Sequence, residues 1–147
     1  MLKTREYLAQ FIRERQTVLT VGLDTDAAKI PSILNGDILA FNTEIIAATH
    51  DLCVSYKLNF AFYESMGTKG WEILEKTIQL IPPTHLIIAD AKRGDIGNTS
   101  EMYARAFFDK SSSQMDFDAI TVSPYMGEDS VKPFFNFKNK WVILLAH

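Results

Sequence analysis

One stretch decides the fold of this chain: Leu86-Ile87-Ile88-Ala89-Asp90-Ala91-Lys92-Arg93-Gly94-Asp95-Ile96-Gly97-Asn98-Thr99-Ser100. It opens as an apolar strand, passes through a cluster of charges and turns into a helical pattern. Alternate side chains of a strand share a face, so Asp90 and Lys92 are predicted side by side at the carboxyl end. Gly94 is expected to loosen the backbone there, and Asp95 adds a second carboxylate. A surface ion pair would explain Asp90 and Lys92 taken alone, because such pairs are common.

Helical and strand patterns alternate along the whole chain. Apolar spacing predicts helices over residues 2–15, 37–46, 63–80 and 99–110, and a short one over 129–138. Asp37 is the predicted cap of the second helix. Short apolar runs predict strands at residues 17–24, 53–60, the opening stretch, 117–123 and 141–146. Asn98, with Glu101 three residues later, is a capping-box-like start for the fourth helix.

Five strands separated by helices predict parallel βαβ units. No G-x-G-x-x-G follows the first strand and no P-loop is present, so a nucleotide-binding doubly wound sheet is disfavoured. The polar residues instead cluster after strands, where (β/α)-barrel active sites lie. We therefore expect an α/β fold in which residues 1–147 form a single partial domain, the N-terminal part of a (β/α)8 TIM barrel with about five β/α units.

Two further polar residues end predicted strands. Asp24 follows the first strand, and a turn or helix-cap role is the simpler explanation for it alone. The second strand alternates strictly, with Lys57 in its polar set; that set would ordinarily face water. In a barrel it faces the interior instead, and Lys57 then joins Asp24.

The composition narrows the class of protein. The 147 residues are 47% hydrophobic and 22% charged, as in ordinary globular proteins. A net charge of −3 disfavours a nucleic-acid-binding surface. The single cysteine, Cys53, excludes an internal disulfide and a multi-Cys metal site. A zinc site and a Ser123 nucleophile are disfavoured because neither has partner residues. Without a signal core or a membrane-length apolar run, we expect a cytoplasmic protein that binds no membrane.

Taken together, four motifs resemble the orotidine 5′-phosphate decarboxylase family, and most nearly its longer bacterial branch. They are Val21-Gly22-Leu23-Asp24, Lys57-Leu58-Asn59, Asp90-Ala91-Lys92-Arg93-Gly94-Asp95-Ile96-Gly97-Asn98-Thr99 and Val122-Ser123-Pro124-Tyr125-Met126-Gly127. The resemblance implies a homodimeric (β/α)8 barrel that converts orotidine 5′-phosphate to UMP in de novo pyrimidine biosynthesis. It also implies a reaction without metal or organic cofactor.

The same resemblance assigns roles to individual residues. It implies a catalytic charge array of Lys57, Asp90, Lys92 and Asp95, in which Asp95 acts in the partner's site. Lys92 is expected to protonate C6 of the pyrimidine, Asp90 to sit against the substrate carboxylate, and Lys57 to bridge the two aspartates and reach the ribose. Substrate-binding positions are expected at Asp24, Asn59, Ile96, Thr99 and Ser123, with Thr99 again reaching the partner's site.

Two alternatives remain open from the sequence. Magnesium-dependent sugar-phosphate enzymes of the same suprafamily share Asp-x-Lys-x-x-Asp, but they carry a glutamate at the position of Lys57, where a lysine would repel the cation. A whole barrel needs ~250 residues, so we expect a fragment that ends at the fifth strand, lacks the phosphate-binding residues and has little activity alone. The other alternative is a non-enzymatic half-barrel that self-assembles as a structural or binding module.

Overall fold

A computed structural model describes residues 3–146. Leu2, predicted in the first helix, lies outside the described residues. The strands are β1 Thr20–Gly22, β2 Ser55–Asn59, β3 Leu86–Arg93, β4 Ala119–Val122 and β5 Trp141–Leu144. The α-helices are α1 Arg5–Arg15, α2 Ile38–Thr49, α3 Phe60–Glu64, α4 Thr68–Leu80, α5 Gly97–Phe108 and α6 Lys110–Ser113. No helix among residues 3–146 is long and apolar enough to cross a membrane.

The five strands form one parallel sheet in the order β1-β2-β3-β4-β5. Each strand lies beside the next strand in the sequence. A doubly wound sheet would reverse its strand order at a switch point, and this sheet does not. The prediction of an α/β fold corresponding to the N-terminal part of a TIM barrel is confirmed.

The two faces of the sheet differ in chemistry. Alternate residues of β2, such as Tyr56 and Leu58, are fully buried against the helices. Phe60, Phe107 and Phe117 pack there with ring centroids 4.8–5.9 Å apart. The remaining β2 residues, including Lys57, face the concave side. The helices therefore cover one face, and the other face is left to carry polar groups.

The starts of two helices test the predicted caps. Asp37 caps α2, and its carboxylate accepts the N–H of Ala40 at 3.0 Å. The predicted Asn98 cap of α5 is wrong: the helix begins at Gly97 without a side-chain cap. Asn98 is already inside the first turn and its amide oxygen accepts the adjacent Thr99 N–H.

Two predicted helices are interrupted. The segment 63–80 is divided between α3 and α4 at Gly67, whose φ of 61° is unfavourable for other residues. At Gly70, a Cβ would lie only 1.8 Å from the Tyr63 carbonyl oxygen, so glycine permits the close packing of the two helices. The segment 129–138 is two 3₁₀ helices, Glu128–Ser130 and Lys132–Asn136. Pro133 has no N–H for an α-helical bond.

A buried ion pair that the sequence did not indicate ties the N-terminus to the sheet. The Lys3 ammonium lies 2.6 Å from the Asp118 carboxylate, and both side chains are at most 10% exposed. The same carboxylate accepts the Ile87 N–H at 2.8 Å. The indole N–H of Trp141 donates to the Lys3 carbonyl at 2.9 Å. These bonds hold the amino ends of β3, β4 and β5 together.

Candidate active site

Four charged side chains of alternating sign meet at the carboxyl ends of the first three strands. The Lys57 ammonium lies 3.2 Å from Asp24 and 3.1 Å from Asp90. The other Asp90 oxygen accepts the Lys92 ammonium. The sequence thus places a continuous array, Asp24–Lys57–Asp90–Lys92, on the concave face.

The order of the array follows from strand register. Gly22 of β1 pairs with Lys57 of β2, and Asn59 of β2 pairs with Asp90 of β3. Asp24, two residues beyond Gly22, also accepts the backbone N–H of Asn59 at 3.0 Å. Since parallel strands end at the same edge of the sheet, residues far apart in sequence arrive within bonding distance.

The third strand is not regular where it carries the charges. Ala89 pairs with Ile120 and Arg93 pairs with Val122, so three β3 residues lie opposite a single β4 residue. Lys92 has a φ of 49°, in the left-handed region. Asp90 and Lys92 are therefore brought together by a bulge as well as by the alternation that the sequence predicted.

The two central residues of the array, Lys57 and Asp90, are held in their ionised forms. Burial alone would raise the pKa of Asp90, but hydrogen bonds from Lys92, Lys57 and Thr121 outweigh it and place that pKa below its ordinary value. Burial lowers the pKa of Lys57, but the Asp90 and Asp24 carboxylates outweigh burial and raise it above its ordinary value. Each partially buried charge is thus paired with its opposite, as a desolvated array requires.

The predicted residues of the β3–α5 loop stand apart from the array. Asp95 accepts the N–H of Ile96, and within the part of the chain that the structure describes it forms no ion pair with the array's lysines. Ile96 is 54% exposed. Thr99 lies in the first turn of α5. Within residues 3–146, none of these three side chains bonds to the array of its own chain.

Asn59 and Ser123, predicted to bind substrate, are held by neighbouring backbone groups. The Asn59 amide oxygen accepts the Ala61 N–H and caps α3. The backbone of Ser123 donates to the Arg93 carbonyl at 2.6 Å, and its own carbonyl accepts the Ser130 hydroxyl. Their predicted contacts with substrate stay predictions.

The side chain of Arg93 points away from the array, as the alternation predicts. Its guanidinium pairs with Glu64 and lies 5.5–5.9 Å from the ring centroids of Phe60, Tyr103 and Phe107 on the helical side of the sheet. Arg93 therefore anchors β3 to the helices and takes no part in the charged face.

Sequence reasoning missed Thr121. Its hydroxyl donates to Asp90 at 3.0 Å and accepts the Lys92 N–H at 2.9 Å. A signal was available, because Thr121 alternates with the apolar Ile120 and Val122 of β4 and so faces the concave side. Among residues 3–146 there is no group of three or more His, Cys, Asp or Glu residues arranged to hold a metal ion.

Comparisons with known proteins agree with this architecture. Residues 17–146 match the model of the orotidine 5′-phosphate decarboxylase / HUMPS family. An orotidine 5′-phosphate decarboxylase of Bacteroides fragilis is 55% identical over 97% of this chain and 53% of its own length. The corresponding enzyme of Parabacteroides distasonis is 57% identical over 97% of this chain and 51% of its own length.

Solved structures give the same result. The Leishmania donovani OMP decarboxylase superposes with a TM-score of 0.76 at 34% identity, covering 93% of this chain and 52% of that one. The UMP synthase of the same organism gives a TM-score of 0.81 at 35% identity, over 96% of this chain and 29% of that one. The chain thus spans about half the length of the curated relatives it matches. With 130 consecutive residues matching the family model, the chain belongs to the orotidine 5′-phosphate decarboxylase / HUMPS family.

Proposed function

We propose that residues 1–147 form one partial-barrel domain that carries the reacting residues of an orotidine 5′-phosphate decarboxylase. The observation that carries the proposal is the array Asp24–Lys57–Asp90–Lys92 at the carboxyl edge of the sheet. The names of the relatives support the substrate. The reaction proceeds without metal or organic cofactor.

Lys92 supplies both charge and proton in this proposal. As the bond between C6 and the carboxylate breaks, CO₂ leaves and the electron pair stays on C6, a ring carbon with no electron sink. A fixed ammonium at that point stabilises the developing carbanion. The Lys92 Nζ proton then passes to C6, which gives UMP, and the lysine recovers a proton from solvent.

Asp90 and Lys57 set the electrostatics around that step. Asp90 lies against the substrate carboxylate and disfavours the charged ground state, while Lys92 favours the transition state. Lys57 keeps Asp90 ionised from its other side, at 3.1 Å, and reaches the ribose together with Asp24. Asn59 and Ser123 are further substrate-binding positions in this proposal.

A second copy of the chain completes the site. Asp95 and Ile96 in the β3–α5 loop, and Thr99 in the first turn of α5, do not join the array of their own chain. In a homodimer, Asp95 extends the partner's charge array and Thr99 contacts the partner's ribose. The apolar side chain of Ile96 packs beside the partner's substrate.

Residues 1–147 alone are expected to have almost no activity. Binding energy from non-reacting parts of a substrate is used at the transition state, and the expected phosphate-binding strands lie beyond this part of the barrel. The test is therefore a hybrid in which residues 1–147 are followed by the C-terminal half of the Bacteroides fragilis relative. We expect it to convert orotidine 5′-phosphate to UMP and CO₂.

Matched variants make this test specific. Replacing Lys92 by Ala should lower kcat at least ~10²–10³-fold, since it removes the preorganised charge. Arg93 is one residue away but faces the helices. The Arg93→Ala variant should therefore keep the parent's kcat when activity is calculated per folded protein. A hybrid that folds and dimerises but does not decarboxylate orotidine 5′-phosphate refutes the proposal.

Two measurements address the alternatives. If the hybrid acts on sugar phosphates and loses activity with EDTA, the magnesium-dependent reaction of the suprafamily replaces the proposal. Size-exclusion chromatography of the 147-residue chain tests the half-barrel module: a defined oligomer favours a self-assembling module, and aggregation favours a part of an enzyme.

A further inference from the structure

Thr121 occupies an unusual place in the sheet. Between the pairs Ala89–Ile120 and Arg93–Val122, strand β3 contains three residues and β4 contains only Thr121. The bulged residues include both Asp90 and Lys92. Thr121 is thus the single β4 residue opposite the charged segment, and the residue is 7% exposed.

The hydroxyl of Thr121 bonds both of these residues. It donates its proton to the Asp90 carboxylate at 3.0 Å and accepts the Lys92 backbone N–H at 2.9 Å. A hydroxyl has one proton to donate, so the direction of both bonds is fixed. One oxygen atom therefore sets the separation between the Asp90 carboxylate and the Lys92 backbone.

The backbone that Thr121 holds is unfavourable by itself. Lys92 has a φ of 49°, a left-handed conformation that residues with a Cβ seldom adopt. Such a residue persists where its surroundings fix it. Here the Thr121 hydroxyl fixes its N–H, and the next residue is fixed because the Arg93 carbonyl accepts the Ser123 N–H at 2.6 Å.

We propose that Thr121 is a positioning residue that locks the bulge of β3, so that the Lys92 ammonium and the Asp90 carboxylate are presented together to the substrate. Its importance for catalysis rests on the proposed function above, whereas its effect on geometry does not. Thr121 touches Asp90 and Lys92 and acts through them.

The test uses the isotope-labelled hybrid, in which residues 1–147 are followed by the C-terminal half of the Bacteroides fragilis relative, and its Thr121→Val variant, which keeps the shape of the side chain and removes the hydroxyl. We expect hydrogen exchange of the Lys92 amide to become about fivefold faster, because a net hydrogen bond of roughly 1 kcal/mol is lost. We also expect the Asp90 carboxyl to titrate at a higher pH, since one of its donors is gone. Thr121→Ser should restore both values toward those of the parent.

Thr20→Val is the matched control. Thr20 lies on β1, two residues below the end of that strand, and its hydroxyl bonds Ser55 at 2.5 Å, away from Asp90 and Lys92. If Thr121→Val does not fold, Thr121→Ala gives the same readouts, because it removes the hydroxyl without placing a methyl group against Asp90.

The proposal is overturned if the hydroxyl-free variants leave either the Lys92 exchange rate or the Asp90 titration unchanged, or if Thr20→Val changes both equally. Neither measurement needs substrate. An inactive hybrid would therefore refute the proposed function alone, and an unchanged Lys92 amide would refute the positioning role alone.

Discussion

Replacing Gly94 by Ala should separate the ends of β3 and β4 at the candidate site. A Cβ at Gly94 would lie 2.4 Å from the Ser123 carbonyl oxygen and 3.3 Å from the Ser123 carbonyl carbon. The first distance is about 1 Å short of ordinary contact. Both obstacles are backbone atoms, so a side-chain rotation cannot relieve them.

The cost follows from that geometry. Forcing one methyl group into a filled space costs about 1–3 kcal/mol, and weakening the Ser123–Arg93 hydrogen bond adds roughly 1 kcal/mol. A loss of about 2–4 kcal/mol corresponds to a fall in Tm of about 6–15 °C for a chain of this size. Thermal unfolding followed by far-UV circular dichroism measures the fall.

Gly97→Ala is the internal comparison, three residues away in the same motif. Its added Cβ would meet only Asp129 Cβ, at 3.9 Å, and alanine favours the helix that starts there. We expect an unchanged or slightly higher Tm. Equal Tm values for the two variants would refute the reasoning, because they would show that the junction of β3 and β4 adapts without strain.

Three further predictions concern charge. Lys3→Met should destabilise the chain by about 3–5 kcal/mol in urea unfolding, since it leaves Asp118 charged and buried; Lys132→Met, from an exposed pair, should cost under ~1 kcal/mol. Burial lowers the pKa of His85, so His85 takes up a proton more readily in the unfolded state than in the folded state. The free energy of unfolding should therefore fall as the pH drops below ~6.5. A His85→Gln variant with the same pH dependence would contradict this prediction. Burial would raise the pKa of Asp90, but hydrogen bonds from the two lysines lower it. The ionised Asp90 therefore stabilises the fold fully above pH ~3.9, and this stabilisation is lost as the pH falls below that value. The stability difference between the parent and Asp90→Asn should shrink below that pH, and a constant difference would refute the prediction.

Local patterns in the sequence were enough to predict the strands and their faces. The period of two in β2 placed Lys57 on the face opposite Tyr56, and alternation in β3 predicted that Arg93 points away from Asp90 and Lys92. The period persists because one face of each strand must be buried. The cap at Asp37 was predictable for a similar reason, since its hydrogen bond spans only three residues.

Other features arise from contacts between distant parts of the chain. The break between α3 and α4 accompanies the close approach of Gly70 to Tyr63, whereas the spacing of apolar residues predicted one continuous helix over 63–80. The Lys3–Asp118 pair joins residues 115 positions apart. Gly94 was expected to loosen the backbone. In the structure, its missing side chain allows β3 to pass close to the backbone of Ser123.

The sequence by itself determined the fold class and which charges stand at the strand ends, because hydrophobic periodicity and charge position are properties of each segment alone. Only the tertiary structure decided the bulge of β3 and the Thr121 hydrogen bonds that hold Asp90 and Lys92 in place. In the bulge, three residues of β3, which include Asp90 and Lys92, lie opposite a single residue of β4, Thr121. Register between strands depends on packing across the whole sheet, and a segment of sequence does not encode its neighbour's register.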